Sequence, residues 1–435
     1  MKGNIELRSD NILRDEVTQI RDPVHGYIYA NELECKIIDS PIFQRLRGIR
    51  QLASAHLTYP GALHTRFEHC IGSMHLAKRA SNHLKAQEII DEEMSTELSI
   101  AALLHDIGHG PFSHLFEEVL HEKGMTHENI TDRIIKETEI ADILSSFGIN
   151  VNRFSNLCVG VSKKHPRFMN DIIAGFLSVD SMDYLLRDSY FSGVEYGKVD
   201  VHRIIDAYEI AGKKLAINKD SLYALESLMI ARYEMFRAVY FHKSVRASAV
   251  MITRAMTLSD DELHFTDLDN LDRFLELGDE KVLYNISNIN TTNENTKLAR
   301  KLAIDYSNRK MLKLVFEKMV LGKDKFSTKI FAQRKFRENL TDEIAEKSNI
   351  PKSHIFIDVS TATSVPTTST KESFNEITVL LNKTRKKEFE TTKATELPLM
   401  NAILGYMNII RIYTTSKYKK KLETIVKEIF EKEVL

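Results

Sequence analysis

The sequence predicts a mainly α protein: a helical core followed by a smaller C-terminal α+β region. Three observations predict it. Apolar residues recur at helical spacing through most of residues 33–262, β-type runs are confined to the last third, and a short alternating stretch comes first. The expected division is an N-terminal segment with a hairpin over 1–32, a helical domain over 33–262 and an α+β region over 263–435. A chain of 435 residues is long enough for a large core and two or three structural units.

The elements follow in order. "TQIRDPVHGYIYAN" (18–31) alternates and carries Asp-Pro and His-Gly, so it predicts a small hairpin. "CKIIDSPIFQRLRGIRQL" predicts a helix, a Ser-Pro break, and a second helix with Pro41 in its first turn. Phe67, Ile71, Met74 and Ala77 in "TRFEHCIGSMHLAKRASNHL" have helical spacing. "STELSIAALLHDIGHG" predicts a helix from Ser95 or Thr96 that stops at Gly110-Pro111. More helices are expected to about 260. "SHIFIDVS" (353–360), "EITVLLNK" (376–383) and "NIIRIYTTS" (408–416) predict strands, "TATSVPTTST" a polar loop, and "KYKKKLETIVKEIFEK" a closing amphipathic helix.

Composition excludes some classes. Sixty Lys and Arg nearly cancel 61 Asp and Glu, so no global basic excess favours nucleic acid. The three cysteines, Cys35, Cys70 and Cys158, are scattered and form no CxxC pattern, which suits a reducing compartment. The polar stretch "MKGNIELRSDNILRDEV" lacks a signal-peptide core, and no apolar run approaches the ~18 residues of a membrane span. A cytoplasmic protein without membrane contact is expected.

The chemistry concentrates in "AALLHDIGHGPFSH" (101–114). A neutral imidazole and a carboxylate, His105 and Asp106, suit a divalent metal, and a charged aspartate after an apolar run is costly unless paired or metal-bound. Gly108, Gly110 and Pro111 mark the expected helix end, where a ligand could approach the backbone. His69 and Arg66 share a helical face at i and i+3. In "VDSMDYLLRDSYFSG", Asp180, Asp183, Tyr184, Arg187 and Asp188 form one polar helical face. Arg232, Phe236, Tyr240 and Lys243 recur at i, i+4, i+8 and i+11, a stripe suited to a phosphate and a flat ring together. His109, His114, Glu117, His127 and Glu128 are the acid–base candidates. Each has an ordinary alternative: a capped helix end, a solvated polar face, a core tyrosine with a tethered hydroxyl.

"DPVHGYI", "IIDSPIFQRLRGIRQL", "YPGALHTRFEHCIG", "HDIGHGPFSH", "DYLLRDSYFSG" and "YFHKS" together resemble the HD-domain phosphohydrolases. The nearer likeness is to their branch of sterile-alpha-motif-and-HD-domain deoxynucleoside triphosphate triphosphohydrolases and prokaryotic relatives. The likeness covers roughly residues 20–260. It implies a helical HD core in which His69, His105, Asp106 and Asp180 bind a divalent metal (Fe, Mn, Ni, Zn or Mg). It further implies catalytic roles for His109 and His127, with Glu117 as their acidic partner, and triphosphate contacts from Arg66, His114, Arg232 and Lys243. Tyr184 and Asp188 would meet the sugar, and Tyr240, Gln51 and Leu52 the sugar and base. The implied reaction is hydrolysis of a deoxynucleotide substrate to a deoxynucleoside and tripolyphosphate. Asp39, Gln44 and Arg47 match positions that read an activating nucleotide in regulated relatives, and those relatives assemble as homodimers or homotetramers. Ser181 departs from the pattern, standing where the vertebrate enzymes have a phosphate-binding lysine. The likeness is more specific for fold and metal than for substrate. Two other readings therefore remain: a phosphohydrolase of another nucleotide or phosphoester, and a nucleotide-sensing or nucleic-acid-binding protein with secondary catalysis.

Overall fold

The computed structural model describes residues 18–120, 123–322, 333–363, 378–383, 389–393, 396, 398–399 and 406–432. The stretch 1–17 and most of the "TATSVPTTST" loop lie outside them. The chain opens on an antiparallel hairpin of β1 (Thr18–Asp22) and β2 (Gly26–Ala30), paired from Thr18↔Ala30 to Asp22↔Gly26. Helices α1 (Glu32–Ile38) and α2 (Pro41–Gln44) follow. Asn31 starts α1 through a capping box with Glu34, and Ser40 and Pro41 start α2. The second helix is shorter than the sequence suggests: it is one turn, then tightens into a 3-10 turn over Arg45–Gly48.

The helical body continues through α3 (Arg66–Ala86), α4 (Glu92–Leu104), α5 (His114–Leu120), α6 (His127–Glu137), α7 (Glu139–Ser146), α8 (Val151–Cys158), α9 (Arg167–Ala174), α10 (Val179–Ser192), α11 (Val201–Asp206), α12 (Leu222–Met235) and α13 (Lys243–Leu263). Helix α3 is the axis: α4 and α10 both pack against it, with Leu76, Leu103 and Leu185 fully enclosed. Helix α4 begins earlier than expected because Asp91 accepts the Met94 N–H, and it stops at Leu104, so His105 caps its end and Asp106 sits in the following turn. Between α12 and α13 the chain widens into a π-helical turn over Phe236–Tyr240.

One hairpin interrupts the expected helical run. In "YEIAGKKLAIN", β3 (Tyr208–Ala211) and β4 (Lys214–Asn218) alternate about a two-residue Gly-Lys turn, with Gly212 at φ +64°. They form a sheet of order β3-β4-β7-β8 with β7 (Thr378–Lys383) and β8 (Phe389–Lys393), in which β4 and β7 run parallel. Helices α14 (Leu271–Leu275), α15 (Asp279–Asn288) and α16 (Glu294–Ser307) follow α13. The C-terminal region holds the antiparallel sheet β5-β9-β6, built from β5 (Lys313–Gly322), β6 (Ile355–Thr363) and β9 (Tyr406–Thr414), with α17 (Arg334–Ser348) and α18 (Lys419–Lys432). A small core of Val315, Ile344, Ile412 and Val426 holds it together. No helix among the described residues is long and apolar enough to cross a membrane.

Candidate metal centre and active-site cavity

Four donors from three helices and a turn converge at one point. His69 comes from the first turns of α3, where Thr65 and Glu68 form a capping box. His105 and Asp106 come from the end of α4, and Asp180 from the first turn of α10, which Ser178 caps. The Nε2 of His69 lies 3.3 Å from His105 Nε2, 3.1 Å from Asp180 Oδ1 and 3.5 Å from Asp106 Oδ2. His105 Nε2 lies 3.3 Å from Asp106 Oδ1 and 3.6 Å from Asp180 Oδ1. Donors on a tetrahedral ion with bonds of ~2.1 Å stand about 3.4 Å apart, so His69, His105 and Asp106 are spaced as donors to one divalent cation, with Asp180 beside both histidines.

The tautomers fit as well. His69 Nδ1 donates to Asp183 Oδ2 at 2.8 Å, and His105 Nδ1 donates to the Ala102 carbonyl at 2.7 Å. Each Nε2 is thereby left with a lone pair aimed at the other. Burial disfavours a cation on His69, yet hydrogen bonds that its ring donates to Asp180 and Asp183 outweigh it and push its pKa up to about 10. Burial would likewise raise Asp106 and Asp180. Arg66 and His105 hold Asp106 well below the usual carboxylate range, and His105 and His69 hold Asp180 below it. The pocket therefore demands positive charge where the four donors meet, and a divalent cation would satisfy that demand.

A network outside the four donors orients them. Asp183 accepts from His69 and His25 and from both Nε and Nη2 of Arg187, each at 2.6–2.9 Å, and Arg187 Nη1 reaches Asp22 at 2.8 Å. All of it is buried. A Cβ on Gly72 would stand 1.9 Å from Asp183 Oδ1, so glycine in α3 is what lets this carboxylate reach His69. The expected single polar face of α10 is thus divided: Asp180, Tyr184 and Asp188 line the cavity, while Asp183 and Arg187 turn toward α3 and the hairpin. Neither His25 nor this function of Asp183 emerges from the sequence, although both lie inside the motifs that carry the resemblance.

Three of the donors, His105, Asp106 and Asp180, line a cavity of ≈ 710 Å³, with His69 buried behind them. Around them Arg66 donates through Nη1 to Asp106 and through Nε to Ser113 Oγ at 2.8 Å; its buried Nη2 has no partner. His109 Nε2 lies 3.4 Å from Asp106 Oδ1, and its ring stacks on His127 at 4.0 Å and 15°. Glu117 bridges His114 Nδ1, at 2.9 Å, and His127 Nδ1. The two stacked imidazoles are driven apart. Burial, then Arg66 and His127, pull His109 well below its ordinary pKa; burial also opposes a charge on His127, but Glu117 overrides it and raises that pKa. Glu117 itself is held low by the two histidines against its burial. His114 stands at the rim with its side chain 69% exposed.

Farther along, Tyr184, Asp188, Arg232, Tyr240, Gln51 and Leu52 line the wall. Tyr240 donates to Asp188 Oδ2 at 2.7 Å, and burial pushes the Tyr184 phenol up to about 12. Lys243 is exposed and does not line the cavity, because the π-helical turn and the break before α13 re-aim the stripe after Tyr240. Arg246, one turn on, reaches the wall instead. Ser181 is buried and bonds the Phe176 and Ser178 carbonyls. Asp39, Gln44 and Arg47 lie away from the cavity; Arg47 donates to Gln44 at 2.8 Å and covers the Phe67 ring at 3.5 Å.

The "HDIGHGPFSH" turn is held by residues that no local motif announces. Arg45 donates to the carbonyls of Ile107 and His109 at 2.8–3.1 Å. Asp279 accepts the Phe112 and Arg50 N–H groups at 2.6 and 3.0 Å, which fixes the left-handed Phe112 and Ser113 (φ +58° and +55°). Burial pushes Asp279 up to about 6. Gly108 serves protein packing instead of ligand approach: a Cβ there would lie 2.3 Å from Thr131 N and 2.4 Å from the His127 carbonyl, so glycine lets α6 bring His127 against His109.

The HD domain family matches residues 66–188, and the family described as HD associated region matches residues 199–431. An uncharacterized protein of Methanocaldococcus jannaschii is 40% identical over 259 residues, covering 58% of this chain and 52% of that protein. An uncharacterized protein of Bacillus subtilis is 35% identical over 253 residues, covering 57% and 58%. A deoxynucleoside triphosphate triphosphohydrolase SAMHD1 homolog of Dictyostelium discoideum is 30% identical over 344 residues, covering 76% and 64%. The chain thus spans between about half and two thirds of the length of these curated relatives. Among solved structures, a hypothetical protein from Aquifex aeolicus superposes with a TM-score of 0.74 at 30% identity, covering 94% of this chain and 100% of that one.

Proposed function

The chain belongs to the HD-domain phosphohydrolase family, and on that premise we propose that it hydrolyses deoxynucleoside triphosphates to a deoxynucleoside and tripolyphosphate. One observation carries the reading. One cavity reaches from His105, Asp106 and Asp180, with His69 buried behind them and arginine and histidine beside them, to a carboxylate and two tyrosines suited to a sugar. His69, His105, Asp106 and Asp180 would hold the metal. When bound, a divalent ion supplies positive charge to the phosphate and lowers the pKa of a water molecule. Arg66 and Arg232 would meet the phosphate oxygens with further positive charge. His127, whose pKa Glu117 raises against its burial, is the group to deliver a proton to the leaving oxygen, while His109, whose pKa is lowered, stacks beside it. Asp188 and Tyr240 would hold the sugar, Tyr184 would close on its face, and Gln51 and Leu52 would flank the base.

Ser181 lines the cavity but brings no charge, and its hydroxyl bonds backbone carbonyls, so phosphate recognition would fall to Arg66, Arg232 and the histidines. The homodimer or homotetramer, and the nucleotide effector at Asp39, Gln44 and Arg47, enter by family likeness alone. The test is a product assay. Each dNTP is incubated with Mn²⁺, with and without GTP, and the products are resolved. Tripolyphosphate plus deoxynucleoside is expected; no turnover of any dNTP sinks the reading. The Asp106→Ala protein should lose bound metal and turnover together, because a ligand to the ion is gone.

A further inference from the structure

The geometry points to His64 as a positioning residue for substrate specificity: it fixes the Asp188 carboxylate so that its open lone pairs face a sugar hydroxyl. This inference rests on the nucleotide reading above.

His64 closes the turn before α3 and is 2% exposed. Its Nε2 lies 2.7 Å from Asp188 Oδ1, while Tyr240 donates to Asp188 Oδ2 at 2.7 Å. Each carboxylate oxygen is therefore held by one fixed donor. A carboxylate offers about four acceptor sites, so about two remain, and Asp188 stands in the cavity wall. The imidazole is itself clamped. It stacks on Phe191 at 4.7 Å and 18°, and Gly61 lets the turn run against α10, since a Cβ there would lie 2.6 Å from the Phe191 carbonyl. The His64 carbonyl also accepts the Gln51 N–H at 3.0 Å, so one residue ties together two parts of the cavity wall.

A packing role alone fits these facts less well. His64 Nδ1 is buried without a hydrogen-bond partner among the described residues, and an apolar ring would fill the same space without that unfavourable group. What the imidazole adds is the N–H to Asp188. A carboxylate clamped at both oxygens is oriented before the ligand arrives, and a site built to bond a hydroxyl rejects the analogue that lacks it.

The experiment compares kcat/KM for a dNTP with that for the matching 2′,3′-dideoxynucleoside triphosphate. The wild-type protein is expected to favour the dNTP by at least about 100-fold. In His64→Leu this ratio should collapse by about tenfold or more, almost wholly through loss on the dNTP, with bound metal retained. His64→Gln, which keeps a donor, should preserve most of the ratio. Equal losses on both substrates, or an unchanged ratio, overturn the proposal. Should His64→Leu fail to fold, Phe191→Leu removes the stacked ring but keeps the N–H; a partial fall in the ratio supports the role and an unchanged ratio overturns it. A wild-type enzyme that hydrolyses both substrates equally refutes only the assignment at Asp188 and His64. No turnover of any dNTP refutes the nucleotide reading, and this inference with it.

Discussion

His127 and His109 stack face to face, yet their surroundings shift their pKa values in opposite directions. Glu117 is responsible for the upward shift of His127. Replacing it by Gln removes the acceptor charge, so His127 loses its proton at lower pH. If His127 protonates the leaving group, the alkaline limb of kcat moves to lower pH in Glu117→Gln; a kcat–pH profile measures it, and an unmoved limb refutes the assignment. The linked stability term has the sign of a raised histidine pKa. It is fully present below the unfolded value near ~6.5 and is lost as pH rises through the folded one. Asp183 invites a second test. It touches no candidate metal position directly but fixes the tautomer of His69. Asp183→Asn should weaken metal affinity by about 10–100-fold, read by competition with a chelating dye, and unchanged affinity would remove Asp183 from the metal's support. At this scale the sequence was legible where motifs are local. His105 and Asp106 adjoin each other, and His69 and Asp180 each lie in the first turn of a helix. Asp279 was not legible, because it reaches Phe112 from 167 residues away.

The α3–α10 contact shows why an element read alone misleads. Residues 180–188 look like one polar stripe, but the helix is enclosed on two sides, so its polar residues serve two environments. Gly72 records the closeness of that contact from the other helix. Gly72→Ala would place a methyl where Asp183 Oδ1 and Arg187 Nη2 now lie. We expect a loss on the order of 1–3 kcal/mol, seen as a lower denaturation midpoint, together with weaker metal binding because Asp183 is pushed off His69. Full stability and affinity would show that the contact relaxes freely. The misread elements have comparable causes. The hairpin β3–β4 carries a recognisable Gly-Lys turn, but its strands are only four and five residues long inside a helical stretch. Helix α4 begins before the apolar pattern that predicts it, because Asp91, its cap, precedes that pattern. The stripe from Arg232 to Lys243 assumes one unbroken α-helix, and the π-helical turn at Phe236–Tyr240 ends that register.

Across the whole molecule, the C-terminal sheet braces the cavity wall. Arg246 donates to Asp358 of β6 through Nε at 3.2 Å and Nη2 at 2.7 Å, and Tyr413 of β9 donates to the Lys243 carbonyl at 2.9 Å. Ile409 packs with Phe241 against Phe236 and Tyr240. These contacts fall on residues 236–246, the segment that supplies Phe236, Tyr240 and Arg246 to the cavity. The candidate metal donors hang instead on α3, α4 and α10, whereas the sheet's main packing against the helical body falls on α13. The two ends of the cavity should therefore respond differently to damage at β6. Asp358→Ala takes from Arg246 its 2.7 Å carboxylate partner and leaves Glu118 at 3.8 Å; losing a buried partner typically costs about 3–5 kcal/mol, and less here, where Glu118 remains and the side chain is 16% exposed. The variant should melt lower and bind substrate more weakly, raising KM, while its metal stoichiometry stays that of the wild type. Arg246→Met combined with Asp358→Leu removes both charges and should recover most of the stability. Metal loss in Asp358→Ala would mean that the sheet supports the whole cavity; an unchanged KM would mean that residues 236–246 hold their place without it.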